Sequence, residues 1–204
     1  MGFMMRWGLS AALGVCMIGA VLAAPVVLPH VIPAQQAGDQ PDSPPLTGDM
    51  AEFTPLKSRV PAPPLRFSDA QGRHHTLAEM HGKFVVLNFW ATWCGPCVEE
   101  LPTLEALAQN PAVANMAVAT LSQDRRGADA VVPFLDAKGI TALPRFLDQD
   151  SSAGNALDVQ ALPTTFLVDQ EGRIIGSIDG SADWNGPDAR RLIAWYAAHK
   201  PEIH

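Results

Sequence analysis

Cysteine is scarce in this chain: three residues in 204, too few to staple a small secreted fold together. Positive charge is also short, with 14 Lys+Arg against 21 Asp+Glu and a net charge of −7. No basic surface is available to neutralise a phosphate backbone, so nucleic acid is excluded as an expected partner. There is no internal repeat. Histidines at 74, 75, 81 and 199 have no ligand spacing toward the cysteines, and zinc needs about four ligands, so no metal is expected. What is present is 48% hydrophobic and 17% charged, a globular balance with room for one ordinary domain and something small beside it.

Charge is missing altogether from Trp7 to Ala24, an 18-residue run preceded by Arg6. That length is at the lower limit for a membrane-spanning helix. Two readings stand for residues 1–32: an uncleaved signal anchor, or a cleaved secretory signal with Val21-Leu22-Ala23 as its small-residue site. Both send the rest of the chain across the membrane, because Arg6 holds the amino-terminal end inside. Cys16 lies within the apolar run and reads as a small apolar residue.

Residues 33–64 hold 8 of the chain's 18 prolines and no sustained apolar period. The stretch reads as a semi-extended spacer or an ordinary disordered tail, with the folded domain expected over 65–204. Within the domain, Phe84–Trp90 is a continuous apolar run suited to a strand buried on both faces. A helix is expected from Gly95 to Gln109, a buried strand over Met116–Leu121, and a helix over Ala130–Lys138 closed by Gly139. Thr164–Asp169 and Arg173–Ile178 flank a turn and read as a hairpin; Pro187–Ala198 reads as a last helix. This alternation implies an α/β fold with a central mixed β-sheet flanked by helices.

The domain's two cysteines are Cys94 and Cys97, spaced C-x-x-C between a buried strand and a helix start. Unpaired N–H groups and the positive dipole end of the helix stabilise a thiolate at the first sulfur. The pKa falls, and the thiolate is the reactive form. The second sulfur can reach the first and close a small disulfide. Pro96 sits where a helix has no N–H to lose. A static structural bridge across so short a loop gains little, and a protease-type nucleophile needs a paired histidine and no resolving cysteine. A redox-active dithiol is left, working without any bound cofactor.

Asn88-Phe-Trp-Ala-Thr-Trp-Cys-Gly-Pro-Cys97, followed by Glu100 and Pro102, resembles the thioredoxin-fold family. With Ala161-Leu-Pro-Thr-Thr-Phe-Leu-Val-Asp169 and Ile178-Asp-Gly-Ser-Ala-Asp-Trp184 it is similar to the TlpA-like thiol–disulfide oxidoreductases, relatives of ResA and the CcmG-type proteins. The resemblance covers Leu65 to the last helix. It implies that Cys94 attacks substrate disulfides, Cys97 resolves the mixed disulfide, and Pro163 is a cis-proline facing the pair. Leu162 would offer backbone for a substrate strand. Trp93, Gly95 and Pro96 would line the substrate contact; Trp93 shields Cys94 or belongs to the core. Glu100, three residues after Cys97 on one helix face, is either a proton acceptor for the resolving thiol or a solvated surface glutamate. Asn88 stands where thioredoxins carry a titrating aspartate.

The expected function is a membrane-tethered, periplasm-facing disulfide reductase of the inner membrane, or a soluble periplasmic one after signal cleavage. Its substrates would be partner proteins with oxidised cysteine pairs, in copper-site assembly of cytochrome oxidase or in cytochrome c maturation. A membrane electron donor of the DsbD/CcdA type would recharge it. The competing class is a non-catalytic thioredoxin-fold module that docks a protein or copper through the C-x-x-C. A peroxidase on the same fold would place its cysteine in a Thr-Pro context, absent here.

Overall fold

A computed structural model describes residues 43–199. In chain order its elements are β1 (Thr54–Pro61), β2 (Arg66–Ser68), β3 (His74–Thr76), β4 (Phe84–Trp90), α1 (Gly95–Gln109), β5 (Met116–Ser122), α2 (Ala128–Ala137), β6 (Phe146–Leu147), α3 (Ser152–Ala156), β7 (Thr164–Val168), β8 (Arg173–Asp179) and α4 (Pro187–Ala198). The segment 1–32 read as an anchor or signal lies outside the described residues. So does the first part of the expected spacer.

The strands form one sheet in the order β1-β8-β7-β4-β5-β6-β2-β3. β4 runs parallel to β5 and antiparallel to β7, which makes the sheet mixed. All seven residues of β4 are buried, as its unbroken apolar run requires of a strand covered on both faces. Its side chains alternate between two cores. Phe84, Val86 and Trp90 join the buried faces of α1, α2 and α4, while Val85, Leu87 and Phe89 join Leu65, Phe67, Leu77 and Ala153. Asn88 shares the parity of Val86 and Trp90, so it points to the α1 side. The expected helices Gly95–Gln109 and Pro187–Ala198 and the expected hairpin form with little change of bounds; α2 begins two residues earlier than its apolar spacing suggests.

The expected boundary at residue 65 is corrected by the structure. Met50 and Phe53 are buried in the core, and β1 pairs with β8 as an added edge strand. Arg59 ties β1 to the other end of the chain: it pairs with Asp169 at 3.2 Å and donates to the carbonyls of Tyr196 and His199 at the end of α4. The reason for the misreading is physical. An edge strand is held by backbone pairing and needs no apolar period, and Leu56 and Val60 are left exposed on it. Opposite it, Gly176 is required: a Cβ there would press into the Thr54 carbonyl oxygen and the Phe53 ring.

Two turns share one device that the sequence shows only as D-x-x-G-R. Asp69 and Asp169 each accept from the backbone N–H two and four residues on, and each bonds the arginine four residues on. Gly72 and Gly172 supply the positive φ, 76° and 75°, at each turn.

Candidate active site at the start of α1

Cys94 and Cys97 are joined as a disulfide. Cys94 is the N-cap residue of α1, in extended backbone, and its Sγ accepts from the Cys97 N–H at 3.3 Å. The sulfur therefore occupies the place where a capping oxygen would satisfy a free helix donor. The two cysteines are not equivalent: Cys94 retains 6% exposure and Cys97 none. Gly95 and Pro96 are exposed between them. Trp93 is 70% exposed, so it is a surface side chain beside the disulfide, not a core one. Trp90 and Trp184 are the tryptophans buried in the core.

The Leu162–Pro163 peptide bond is cis. Phe89 of β4 pairs with Thr164 of β7, so Pro163 lies level with the end of β4, where the chain enters the loop to Cys94. The Pro163 carbonyl accepts from the Gly180 N–H at 2.8 Å. Leu162 is half-buried, and among the described residues nothing takes its backbone N–H or carbonyl. A strand edge one residue long is open there.

Glu100 is buried, at 2% exposure, and is not a solvated surface residue; its neighbour Glu99 is the exposed one. Three donors reach its carboxylate. Asn88 Nδ2 donates to Oε1 at 2.7 Å, and the Ala182 N–H and Trp184 Nε1–H donate to Oε2 at 3.1 and 3.2 Å. Burial outweighs these donors and pushes the Glu100 carboxyl up to about 7. Glu105, one turn further along α1, shows the opposite balance. Burial pushes its carboxyl up as well. However, the N–H groups of Thr141, Ala142 and Leu143 converge on it, together with the Thr141 hydroxyl, and hold it below the usual carboxylate range. Glu105 anchors a loop; Glu100 is left poised near neutrality.

Several residues of the site had no mark in the sequence. Asp124, buried, accepts from the Thr92 N–H at 2.8 Å, the Thr92 hydroxyl at 2.6 Å and the Ser122 hydroxyl at 2.7 Å. It thereby holds the loop that carries Trp93 and Cys94. Thr103 Oγ1 accepts from the Trp184 N–H at 3.1 Å, so the 180–184 segment is pinned to α1 by more than the Glu100 bonds. That segment lies in Ile178–Trp184, which the resemblance had singled out without giving it a task. Among the described residues no group of three or more His, Cys, Asp or Glu side chains is placed to hold a metal ion.

Residues 57–193 match the Redoxin family. The thiol-disulfide oxidoreductase ResA of Geobacillus thermodenitrificans is 37% identical over 123 residues, 59% of this chain and 68% of that protein. The ResA of Geobacillus kaustophilus is 34% identical over 136 residues, 66% of this chain and 76% of that protein. Among solved structures, the thioredoxin domain of a thiol-disulfide oxidoreductase from Bacteroides vulgatus superimposes with a TM-score of 0.56 at 22% identity, covering 70% of this chain and 99% of that one. The likeness shows that the fold is thioredoxin-like.

Proposed function

The chain belongs to the Redoxin family, and from that premise we propose that it is a thiol–disulfide oxidoreductase that reduces cysteine pairs of partner proteins. The observation that carries this reading is the asymmetry of the pair. Cys94 caps a helix at the surface beside exposed Trp93, while Cys97 is closed off one turn inside. A scaffold needs no such division.

In the reduced protein, Cys94 is the thiolate that the helix start favours. It attacks one sulfur of a substrate disulfide; a Cys94–substrate bond forms, and the other substrate sulfur leaves as thiolate. Cys97 then gives its proton to Glu100 and attacks Cys94 Sγ. The Cys94–Cys97 bond forms, and the second substrate sulfur leaves. Two electrons pass from the dithiol to the substrate, and Glu100 returns its proton to solvent or to a departing thiolate. A carboxyl near 7 can both accept and release that proton at neutral pH. Pro163 and the open backbone of Leu162 receive the substrate strand, with Trp93, Gly95 and Pro96 facing it.

The apolar run Trp7–Ala24 behind Arg6 supports a domain held on the outer face of the cytoplasmic membrane, in the periplasm. A thiol reductant there needs a membrane electron donor of the DsbD/CcdA type. Haem-site cysteines of apocytochrome c, or copper-site cysteines of an oxidase, are substrates that must be kept reduced in such a compartment. The test is the reduction potential of the purified protein, equilibrated against glutathione or dithiothreitol. A value near the thioredoxin one of about −270 mV is expected; one near the DsbA value of about −120 mV would reverse the electron flow. An absence of reversible exchange would leave only a docking module.

A further inference from the structure

Asn88 has a buried defect. Its side chain is fully enclosed, and its Nδ2 donates to Glu100 Oε1 at 2.7 Å and to Thr165 Oγ1 at 2.9 Å, yet its Oδ1 has no partner. Buried polar atoms without partners are few in folded proteins, and each one calls for a reason.

The reason lies in what surrounds Glu100. All three groups bonded to its carboxylate are donors. That set suits the ionised form. A protonated carboxyl has an O–H of its own to place, and it needs an acceptor. On Oε2 it finds none: a backbone N–H and an indole N–H only donate. On Oε1 it faces an amide, the one neighbour with a donor at one end and an acceptor at the other. A half-turn of that amide brings Oδ1 to the position Nδ2 now holds and carries Nδ2 to the place where Oδ1 has no partner, so each orientation leaves one end of the amide unpaired and the form of Glu100 decides which. Oδ1 then accepts from the Glu100 O–H and from the Thr165 hydroxyl, whose own proton has no acceptor among the described residues.

We infer that Asn88 is a positioning residue whose side-chain amide turns over with the protonation of Glu100: Nδ2 faces the carboxylate, and Oδ1 faces the acid. The proton is carried on Oε1, the oxygen toward β4. No covalent bond is made or broken beyond the transfer of that proton. An aspartate at this position would set a second charge beside Glu100, and an aliphatic residue would serve neither form. This inference rests on Glu100 as the proton acceptor of the proposed reaction.

The other titratable groups near Glu100 are few. Cys97 precedes it by one turn and does not titrate while oxidised. Asp183 and Glu99 are exposed, and Asp179 accepts from Thr164 on the next strand. The oxidised protein is therefore the clean case.

The experiment is NMR of the oxidised full chain in detergent micelles, with 15N in asparagine side chains and 13C in glutamate carboxyls, across pH 5–9. The Asn88 amide 15N and 1H signals are expected to move with the same midpoint as the Glu100 carboxyl carbon. They are expected to stop moving in Glu100→Gln. In Asn88→Leu the carboxylate loses a stronger bond than the acid does, so the Glu100 midpoint is expected to rise, a threefold or larger gain in proton affinity. A titrating Glu100 beside an unmoving Asn88 overturns the inference, and so does an Asn88 titration that survives Glu100→Gln. If Asn88→Leu does not fold, the first two readouts still decide. If the two groups titrate together but Glu100→Gln leaves disulfide reduction unchanged, the coupling stands and the role of Glu100 in the proposed reaction falls.

Discussion

Glu100 and Trp184 stand 84 positions apart in the chain, and the indole Nε1–H of one donates to the carboxylate Oε2 of the other at 3.2 Å. The bond joins α1 to the segment leading into α4. It also sets how easily Glu100 ionises. Trp184→Phe keeps an aromatic side chain, smaller than the buried indole, and removes the donor. The Glu100 midpoint should then rise above its present value of about 7, because burial is opposed by one bond fewer. Loss of a bond to a buried charge costs about 1–3 kcal/mol. Urea unfolding should show that cost at pH 8 and less of it at pH 5, where the carboxyl is protonated; an equal loss at both values would sink the account.

The same carboxyl makes stability depend on pH, and the sign is set by its upward shift. The native form holds its proton to about 7, while the unfolded form releases it near 4.5. Between those values the native state binds more protons, so stability falls as pH rises. The contribution is complete below about 4.5 and lost as pH passes through about 7. At most it amounts to about 3 kcal/mol, from the rule of 1.36 kcal/mol per pKa unit. Glu100→Gln removes the dependence. The variant should gain on the wild type steadily from pH 5 to pH 8, measured by chemical denaturation of the oxidised forms. A constant difference would mean that Glu100 does not titrate in this range.

The unequal exposure of the two sulfurs predicts unequal variants. Cys97→Ala should accumulate a mixed disulfide through Cys94, visible as a mass increase under non-reducing conditions. Cys94→Ala should accumulate none, since Cys97 is fully enclosed. Trapping through both would show that the interior sulfur reaches substrate.

Asp124 should matter beyond its sequence prominence. Asp124→Ala leaves the Thr92 N–H without its acceptor and frees the loop before Cys94. A fall in kcat/KM for protein disulfides of about tenfold is expected from a misplacement of the reacting group by a fraction of an ångström. The stability cost should be about 1–3 kcal/mol. Unchanged kcat/KM in a folded variant would remove Asp124 from the site.

A chain cut at residue 65 should fold poorly. It lacks β1, Met50 and Phe53 and opens the edge of β8. A chain cut at residue 43 should keep a single cooperative melt. Matching melting temperatures for the two would show that the amino-terminal strand contributes nothing to the domain.

Local chemistry explains why some of this was legible in advance. The run Phe84–Trp90 names its own strand because it is apolar on both parities. Cys94 names its own cap because a helix start requires an acceptor there, and Pro96 tolerates the first turn. The hairpin is readable from Gly172 and the β-branched residues on either side. These signals lie within a few residues of one another. Pro163 was found through the likeness of the segment around it, not through any local rule.

Glu100 shows where such reading ends. Its position on the helix was plain from its distance to Cys97, but its environment was not. Three donors decide it, and they come from residues 88, 182 and 184, on two elements that only the sheet and the return of the chain into α4 bring to α1. Glu105 lies on the same helix and is less deeply buried, and a different loop lays three N–H groups on it, which holds it below the usual carboxylate range.

By itself, then, the sequence determined the C-x-x-C pair that forms the disulfide, the strand and helix that present it, and the alternation that makes an α/β sheet. Each of these depends on neighbours along the chain. The tertiary structure alone decided the domain's first strand, the anchoring of the Cys94 loop by Asp124, and the protonation of Glu100. Edge pairing, buried hydrogen bonds and desolvation are properties of groups that meet across the fold, and spacing in the chain carries no record of them.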